Sequence, residues 1–315
     1  MSITVQGLRR HFGTVRAVDG IDLVARPGAV TALVGPNGSG KTTLLLMLAG
    51  LLVPDSGSIS VAGHDPVTQG RAARAVTGWM PDAFGTWDSL TAREILTTFG
   101  AAYRLPADAA AVRAAELLDL VHLTPLADRP AHVLSRGQKQ RLGLARSLVH
   151  DPQVLLLDEP ASGLDPRSRV DLRVLLRALA AQGKTVLVSS HVLVELDEMA
   201  DDAVFLSAGR TVASGSVADA AANRRPWRLR SLSSASLTAW LSSVGVAWRP
   251  DDDSPGNGYG PPVDGPGGVL VDLEGEASAA ALLRDAVAAG VPISSLTPAA
   301  GALEAAYLAL EEERR

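Results

Sequence analysis

Eight consecutive residues, Gly35-Pro36-Asn37-Gly38-Ser39-Gly40-Lys41-Thr42, carry the most specific chemistry in this chain. Their spacing satisfies G-x-x-x-x-G-K-[ST], set between a predicted strand, TALVG at 31–35, and a predicted helix, KTTLLLMLAG at 41–50. Gly35, Gly38 and Gly40 let backbone N–H groups turn inward around β- and γ-phosphates, where side chains would block the approach. Asn37 and Ser39 complete the loop. The helix that starts there points its dipole at the same anion. Lys41 supplies a point charge at the β/γ oxygens, and it is one of three lysines in a chain with 26 arginines. Thr42 offers a hydroxyl to Mg²⁺. Thr43 can bond the α-phosphate.

A second pattern, Val154-Leu155-Leu156-Leu157-Asp158-Glu159-Pro160, is a buried apolar strand that ends in two carboxylates. Asp158 would hold Mg²⁺ through water, and Glu159 would face an attacking water as general base. Three further features are ordinary by themselves. Leu134-Ser135-Arg136-Gly137-Gln138 starts a helix with Ser135 as a good N-cap, whose exposed N–H groups can bind a phosphate. His191 follows the apolar run TVLVSS (185–190), where a hydrogen-bonded buried histidine is the commonest outcome. Phe12 in HFGTVRAVDG reads as a core residue.

The elements that must position these groups alternate. GSISVAG (57–63), VLLLD and TVLVSS read as strands, the last two continuous enough to be buried on both faces, and 166–182 and 192–200 read as helices. The pattern is α/β with a parallel sheet. Residues 91–150 instead hold helical patterns (AREILTTFGAAYRL, AAAVRAAELLDLV, RGQKQRLGLARSLV) and no convincing strand. They read as a helical subdomain, about 85–150, inserted into a first domain of 1–218. A boundary falls near Asn223–Pro226, where NRRPWRLR reads as a solvated linker, with an acidic-headgroup or partner contact as the alternative. Beyond it, WRLRSL, SLTAWLSSV, GVAWR, GVLVDL, ASAAALLRDAVAAG and VPISSL give a βαββαβ order with a final helix at 300–314. That is a small α+β domain, 224–315, of ferredoxin-like pattern. Residues 251–268, with ten Gly or Pro in eighteen, read as an exposed, mobile loop.

Composition narrows the function classes. With 315 residues the chain is long enough for two cores. The 29 basic and 34 acidic residues give a net charge of −5, which argues against a chain that mainly grips nucleic acid. The absence of Cys rules out disulfides, Cys-ligated metals and Cys nucleophiles. The richest apolar run, LLLMLAGLLV at 44–53, is half the length of a membrane span. The N-terminus lacks the layout of a signal peptide. A cytoplasmic protein that docks on a membrane protein is the expectation.

Together the motifs resemble those of ATP-binding-cassette (ABC) ATPases. LSRGQ is similar to the family signature LSGGQ and lies 20 residues before Asp158; Ser162-Gly163-Leu164-Asp165 resembles the D-loop; His191 stands at the switch histidine; Phe12 stands where the family stacks an aromatic on adenine. The resemblance covers roughly residues 2–216. It implies a P-loop NTPase core that binds ATP and Mg²⁺, with Lys41, Glu159 and His191 in hydrolysis. It implies that Ser135, Gly137 and Gln138, with Asp165, meet the nucleotide of a second protomer, in a head-to-tail pair with two ATPs at the interface. Two positions depart from the family. Arg136 replaces a glycine of the signature. Asp82 stands where the family usually has a Gln that reaches the metal; a carboxylate accepts but cannot donate as an amide does.

The ending SLTPAAGALEAAYLALEEER, the SRGQKQRL run and a tail of about 100 residues resemble ATPases of drug, antibiotic and polysaccharide exporters with separate membrane subunits. The implied partner is a transmembrane permease, and the implied location is the cytoplasmic face of the membrane. An importer ATPase and a soluble ABC ATPase acting on a ribosome or other assembly remain the alternatives.

Overall fold

A computed structural model describes residues 2–83, 85, 89–251 and 265–312. It divides into two compact units, Met1–Gly215 and Ser216–Arg315.

The first unit opens with β1 (Ile3–Phe12) and β2 (Val15–Ala25), an antiparallel pair. β3 (Val30–Val34) follows, then α1 (Lys41–Leu48), β4 (Ser56–Val61), α2 (Gly70–Ala75) and β5 (Thr77–Met80). Three helices come next: α3 (Ala92–Ala102), α4 (Ala107–Leu120) and α5 (Arg136–Ser147). β6 (Val154–Asp158), α6 (Pro166–Ala181), β7 (Thr185–Ser190), α7 (Leu193–Asp197), β8 (Asp202–Ser207) and β9 (Arg210–Ser216) complete the unit.

One sheet has the order β5-β6-β7-β3-β8-β9, with β5 through β8 joined by parallel pairs. Every residue of β3, β6 and β7 is buried, as expected of strands covered on both faces. A second sheet, β2-β1-β4, is antiparallel. GSISVAG forms the expected strand, β4, and it pairs with β1 in this antiparallel sheet. β1, β2, β5, β8 and β9 were not anticipated at all. β1 and β2 alternate apolar with polar residues, and register shifts interrupt that alternation. The helix expected over 192–200 is confined to Leu193–Asp197.

The inserted helices form as expected. Each of α3 and α5 begins with a reciprocal capping box, Thr91 with Glu94 and Ser135 with Gln138. The insert is tied to the parallel sheet through His150. Its ring stacks on Tyr103 at 3.6 Å between centroids, and its Nε2 lies 3.1 Å from the Thr77 carbonyl on β5.

In the second unit, α8 (Val217–Ala222) precedes β10 (Arg224–Ser231), α9 (Ser234–Ser243) and β11 (Trp248–Pro250). β12 (Gly267–Glu274), α10 (Gly275–Ala288), β13 (Ile293–Pro298) and α11 (Ala302–Glu312) follow. The strand order is β11-β12-β10-β13 with every neighbouring pair antiparallel. Alternate β10 residues are buried, so Trp227 and Leu229 join Leu237, Leu241, Val269 and Val271 in one core. The unit starts before α8, some residues earlier than the sequence boundary, because α8 packs on α10 and α11. GVAWR yields only the short β11. Most of the Gly/Pro-rich stretch expected as a loop, 252–264, lies outside the described residues, as does the end of the final helix beyond 312.

Burial pushes the His150 imidazole down to about 4, with the Thr77 carbonyl and Asp151 opposing. The fold therefore accepts the neutral ring, whereas an unfolded chain protonates it near about 6.5. The stability this ring contributes is full above about 6.5 and is lost as pH falls towards 4. His150→Phe keeps the stack and removes the titration. Thermal unfolding between pH 7 and 4 should show a shallower acid decline in the variant than in the parent.

Candidate functional site

The phosphate loop leaves the end of β3 at the middle of the parallel sheet, between β7 and β8. Its glycines are required sterically. A Cβ on Gly35 would stand 2.4 Å from the Leu206 carbonyl oxygen, and one on Gly40 would stand 2.5 Å from that of Ala17. Gly40 also caps α1 with φ +101°, a region L side chains rarely adopt. The Lys41 Nζ donates to the carbonyls of Gly35 at 2.6 Å and Pro36 at 3.1 Å, so the lysine folds back across its own loop. Burial pushes its ammonium below the ordinary value, and the nearby charges of Glu159 and Asp158 work against that. Ser39 Oγ is buried with no partner among the described residues.

Asp158 is 2% exposed at the end of β6. Thr42 Oγ1 donates to one of its oxygens at 2.9 Å, and Ser189 Oγ, on β7, donates to the other at 2.6 Å. Glu159 follows in a left-handed conformation, φ +51°, which is strained for a residue with a side chain. Three bonds hold it there. Its N–H donates to both the carbonyl and the hydroxyl of Ser189, and its carbonyl accepts from Gln140 Nε2 at 3.1 Å. The turned backbone presents the carboxylate to His191, whose Nδ1 lies 2.9 Å from Oε2. The Glu159 side chain is 17% exposed and that of His191 57%. Glu195 lies nearby, paired with Arg169 at 3.1 Å; burial raises its carboxyl above the ordinary value, Arg169 lowers it, and Glu159 raises it further.

Lys41, Thr42, Asp158, Glu159 and His191 are thus linked through the carboxyl ends of β3, β6 and β7. Other expected residues lie elsewhere. Ser135 Oγ accepts from the Gln138 N–H at 3.2 Å, and the Gln138 Oε1 accepts from the Ser135 N–H at 2.8 Å, so the Gln138 side chain serves the cap. Gly137 packs against the D-loop: a Cβ there would stand 3.0 Å from the Gly163 carbonyl oxygen. Asp165 caps α6 by accepting from the Ser168 N–H and hydroxyl, bonds that hold its carboxyl below the ordinary range. Arg136 donates to Ser162 Oγ at 2.7 Å, joining the start of α5 to the D-loop. Asp82 borders a depression shared with Leu134, Arg136 and Gln140 and makes no bond to Thr42 or Asp158.

Phe12, which by itself reads as core and by the family resemblance as the aromatic that stacks on adenine, is not buried. It ends β1 at 47% exposure, with the Arg10 guanidinium 4.9 Å from its ring centroid. Ser189 and Gln140 were missed. A serine closing an apolar strand beside the Asp158 strand was the available signal for the first; a glutamine within a helix gives none for the second.

A model described as ABC transporter matches residues 18–162. The daunorubicin resistance ATP-binding protein DrrA3 of Streptomyces coeruleorubidus is 41% identical over 214 residues, 68% of each chain. The Nod factor export ATP-binding protein I of Ralstonia nicotianae is 38% identical over 213 residues, 68% of this chain and 66% of that one. The chain therefore spans about two thirds of the length of these relatives. Among solved structures, an ATP binding subunit of an ABC transporter superposes with a TM-score of 0.65 at 27% identity, over 70% of this chain and 92% of that one.

Removing the Ser189 hydroxyl frees one oxygen of Asp158 without touching the loop. Ser189→Ala should raise the Mg²⁺ concentration needed for half-maximal ATP hydrolysis several-fold, and Ser189→Thr should restore it. A Mg²⁺ titration of the ATPase rate is the check. The phosphate loop, the two-carboxylate strand end, the cap at Ser135 and the kinship in sequence and fold agree: this chain belongs to the ATP-binding subunits of the ABC transporter family.

Proposed function

We propose that this chain hydrolyses ATP to power a separate transmembrane exporter. The observation that carries the reading is the linked set Thr42–Asp158–Ser189 and Glu159–His191 beside the buried Lys41, at the carboxyl ends of adjacent parallel strands. Among the described residues no helix is long and apolar enough to cross a membrane, and the spanning role is assigned to a separate permease. Two of the relatives are named for drug resistance and for Nod factor export, which favours export over import.

In this reading the loop N–H groups and Lys41 cradle the triphosphate. The lysine exchanges two carbonyl partners for phosphate oxygens, and the incoming negative charge offsets the burial that now disfavours its protonated form. Thr42 and Asp158 fit Mg²⁺: they are hard oxygen donors 2.9 Å apart, and one carboxylate with one hydroxyl leaves room for substrate phosphates and water. The ion would supply charge neutralisation at the β- and γ-oxygens. Glu159 accepts a proton from the attacking water. His191 orients that carboxylate through Nδ1, which leaves Nε2 pointing onward; the ring donates to a γ-phosphate oxygen only when both nitrogens are protonated. Phe12, exposed at a strand end, stacks on the adenine. Asp82 would reach the ion through a water, its carboxylate accepting where an amide would also donate.

Ser135, Gly137 and Gln138 share no bond with the phosphate loop, and with Asp165 they serve the nucleotide of a second copy in a head-to-tail pair. The Ser135 hydroxyl accepts in the cap, so its own proton is free to donate to a phosphate oxygen. Glu159→Gln should bind ATP, lower turnover by about a hundredfold or more, and accumulate as a dimer in sizing chromatography with ATP and Mg²⁺. Normal turnover in that variant removes Glu159 as the base. His191→Ala should also lose most of its turnover while still binding ATP.

A further inference from the structure

The second unit contains a cavity of about 560 Å³ between α8, the start of β10 and α11. Arg224, Arg225 and Arg249 line it, against one carboxylate among its lining residues, Asp272. Asp272 stands 3.9 Å from Arg249, at the outer edge of an ion pair. Much of the remaining wall is small and apolar, including Ala305, Ala306 and Leu308.

Arg225 sets this cavity apart. The residue is 9% exposed, its Nε is buried with no acceptor, and no ion pair is formed by it among the described residues. Its guanidinium lies 5.5 Å from the Trp227 ring centroid, a cation–π contact. That contact leaves the Nε–H unused, and the buried Trp227 Nε1 also lacks an acceptor among the described residues. A guanidinium does not lose its proton in a protein, so burial does not neutralise it as it would a lysine. Buried charges are ordinarily paired. This one is unpaired, and it borders a space large enough for a small ligand.

We infer that the cavity binds a phosphate ester with a small apolar body, Arg225 being the buried anchor and Arg224 and Arg249 the outer contacts. The charge balance favours a phosphate over a carboxylate. Asp272 offsets part of one arginine, which leaves roughly two positive charges to match the charge of about −1.5 to −2 on a phosphate monoester. Guanidinium donors also match phosphate oxygens in pairs. The alanine-rich wall suits an aliphatic group. Such an ester could be free in solution or be the headgroup of an anionic lipid.

The test uses the full chain with its nucleotide loop filled by Mg²⁺ and ADP. Octyl phosphate, followed by calorimetry, should bind at one site per chain. Arg225→Gln should weaken it about tenfold or more, and the exposed Arg224→Gln by a smaller factor. Arg224→Gln keeps the test valid should Arg225→Gln disturb folding. Raising Mg²⁺ and ADP well above saturation should leave binding unchanged, which separates this site from the phosphate loop. Absence of binding, binding indifferent to both arginine substitutions, or binding that excess Mg²⁺ and ADP compete away overturns the assignment. Co-sedimentation with phosphatidylcholine vesicles, with and without phosphatidate, separates the sources. Phosphatidate-dependent pelleting that needs Arg225 supports a lipid headgroup. Octyl phosphate binding without pelleting supports a free ester.

Discussion

The site depends on one buried carboxylate. Asp158 sits almost out of contact with water, and a lone carboxylate there would be costly without donors. Thr42 and Ser189 supply one to each oxygen, and they come from the elements that follow β3 and close β7. The same residue therefore registers three neighbouring strands and sets the phosphate loop at a fixed place relative to Glu159. Breaking either bond leaves a buried acceptor unsatisfied, a loss of about 1–3 kcal/mol, more for a charged group. Thr42 is held in place by the contact that makes it a metal ligand in the proposed reaction, so structure and chemistry share one hydrogen bond.

Strain is concentrated beside that carboxylate. Glu159 adopts a backbone conformation that its side chain disfavours, and Ser189 and Gln140 hold it there. The turn aims the carboxylate away from Asp158 and towards His191, so two adjacent acids point to different tasks. A relaxed strand end would alternate them across the sheet by pleat alone.

Much of this was legible from residue order, and the limits have physical causes. The phosphate loop, the strand ending at Asp158 and the cap at Ser135 depend on short-range patterns, and each stands where its pattern placed it. β1 and β2 are hard to read because their register shifts disturb the period-two signal, and GSISVAG reads as a strand but not as a member of one sheet, because a single strand carries no information about its partners. Taken alone, Phe12 reads as core because aromatic residues usually are; its position at the last residue of β1 leaves it uncovered, and only the family resemblance points to an exposed role. Ser189 closes an apolar strand beside the Asp158 strand, which is a weak signal; Gln140 gives none. Gln140 acts on a residue 19 positions away, a distance over which sequence alone gives no geometry.

The bond from Arg136 to Ser162 makes the head of α5 and the D-loop into a single mechanical piece. A glycine at that position would leave the two free to shift separately. Here any shift of the D-loop draws the first turn of α5 with it through that guanidinium.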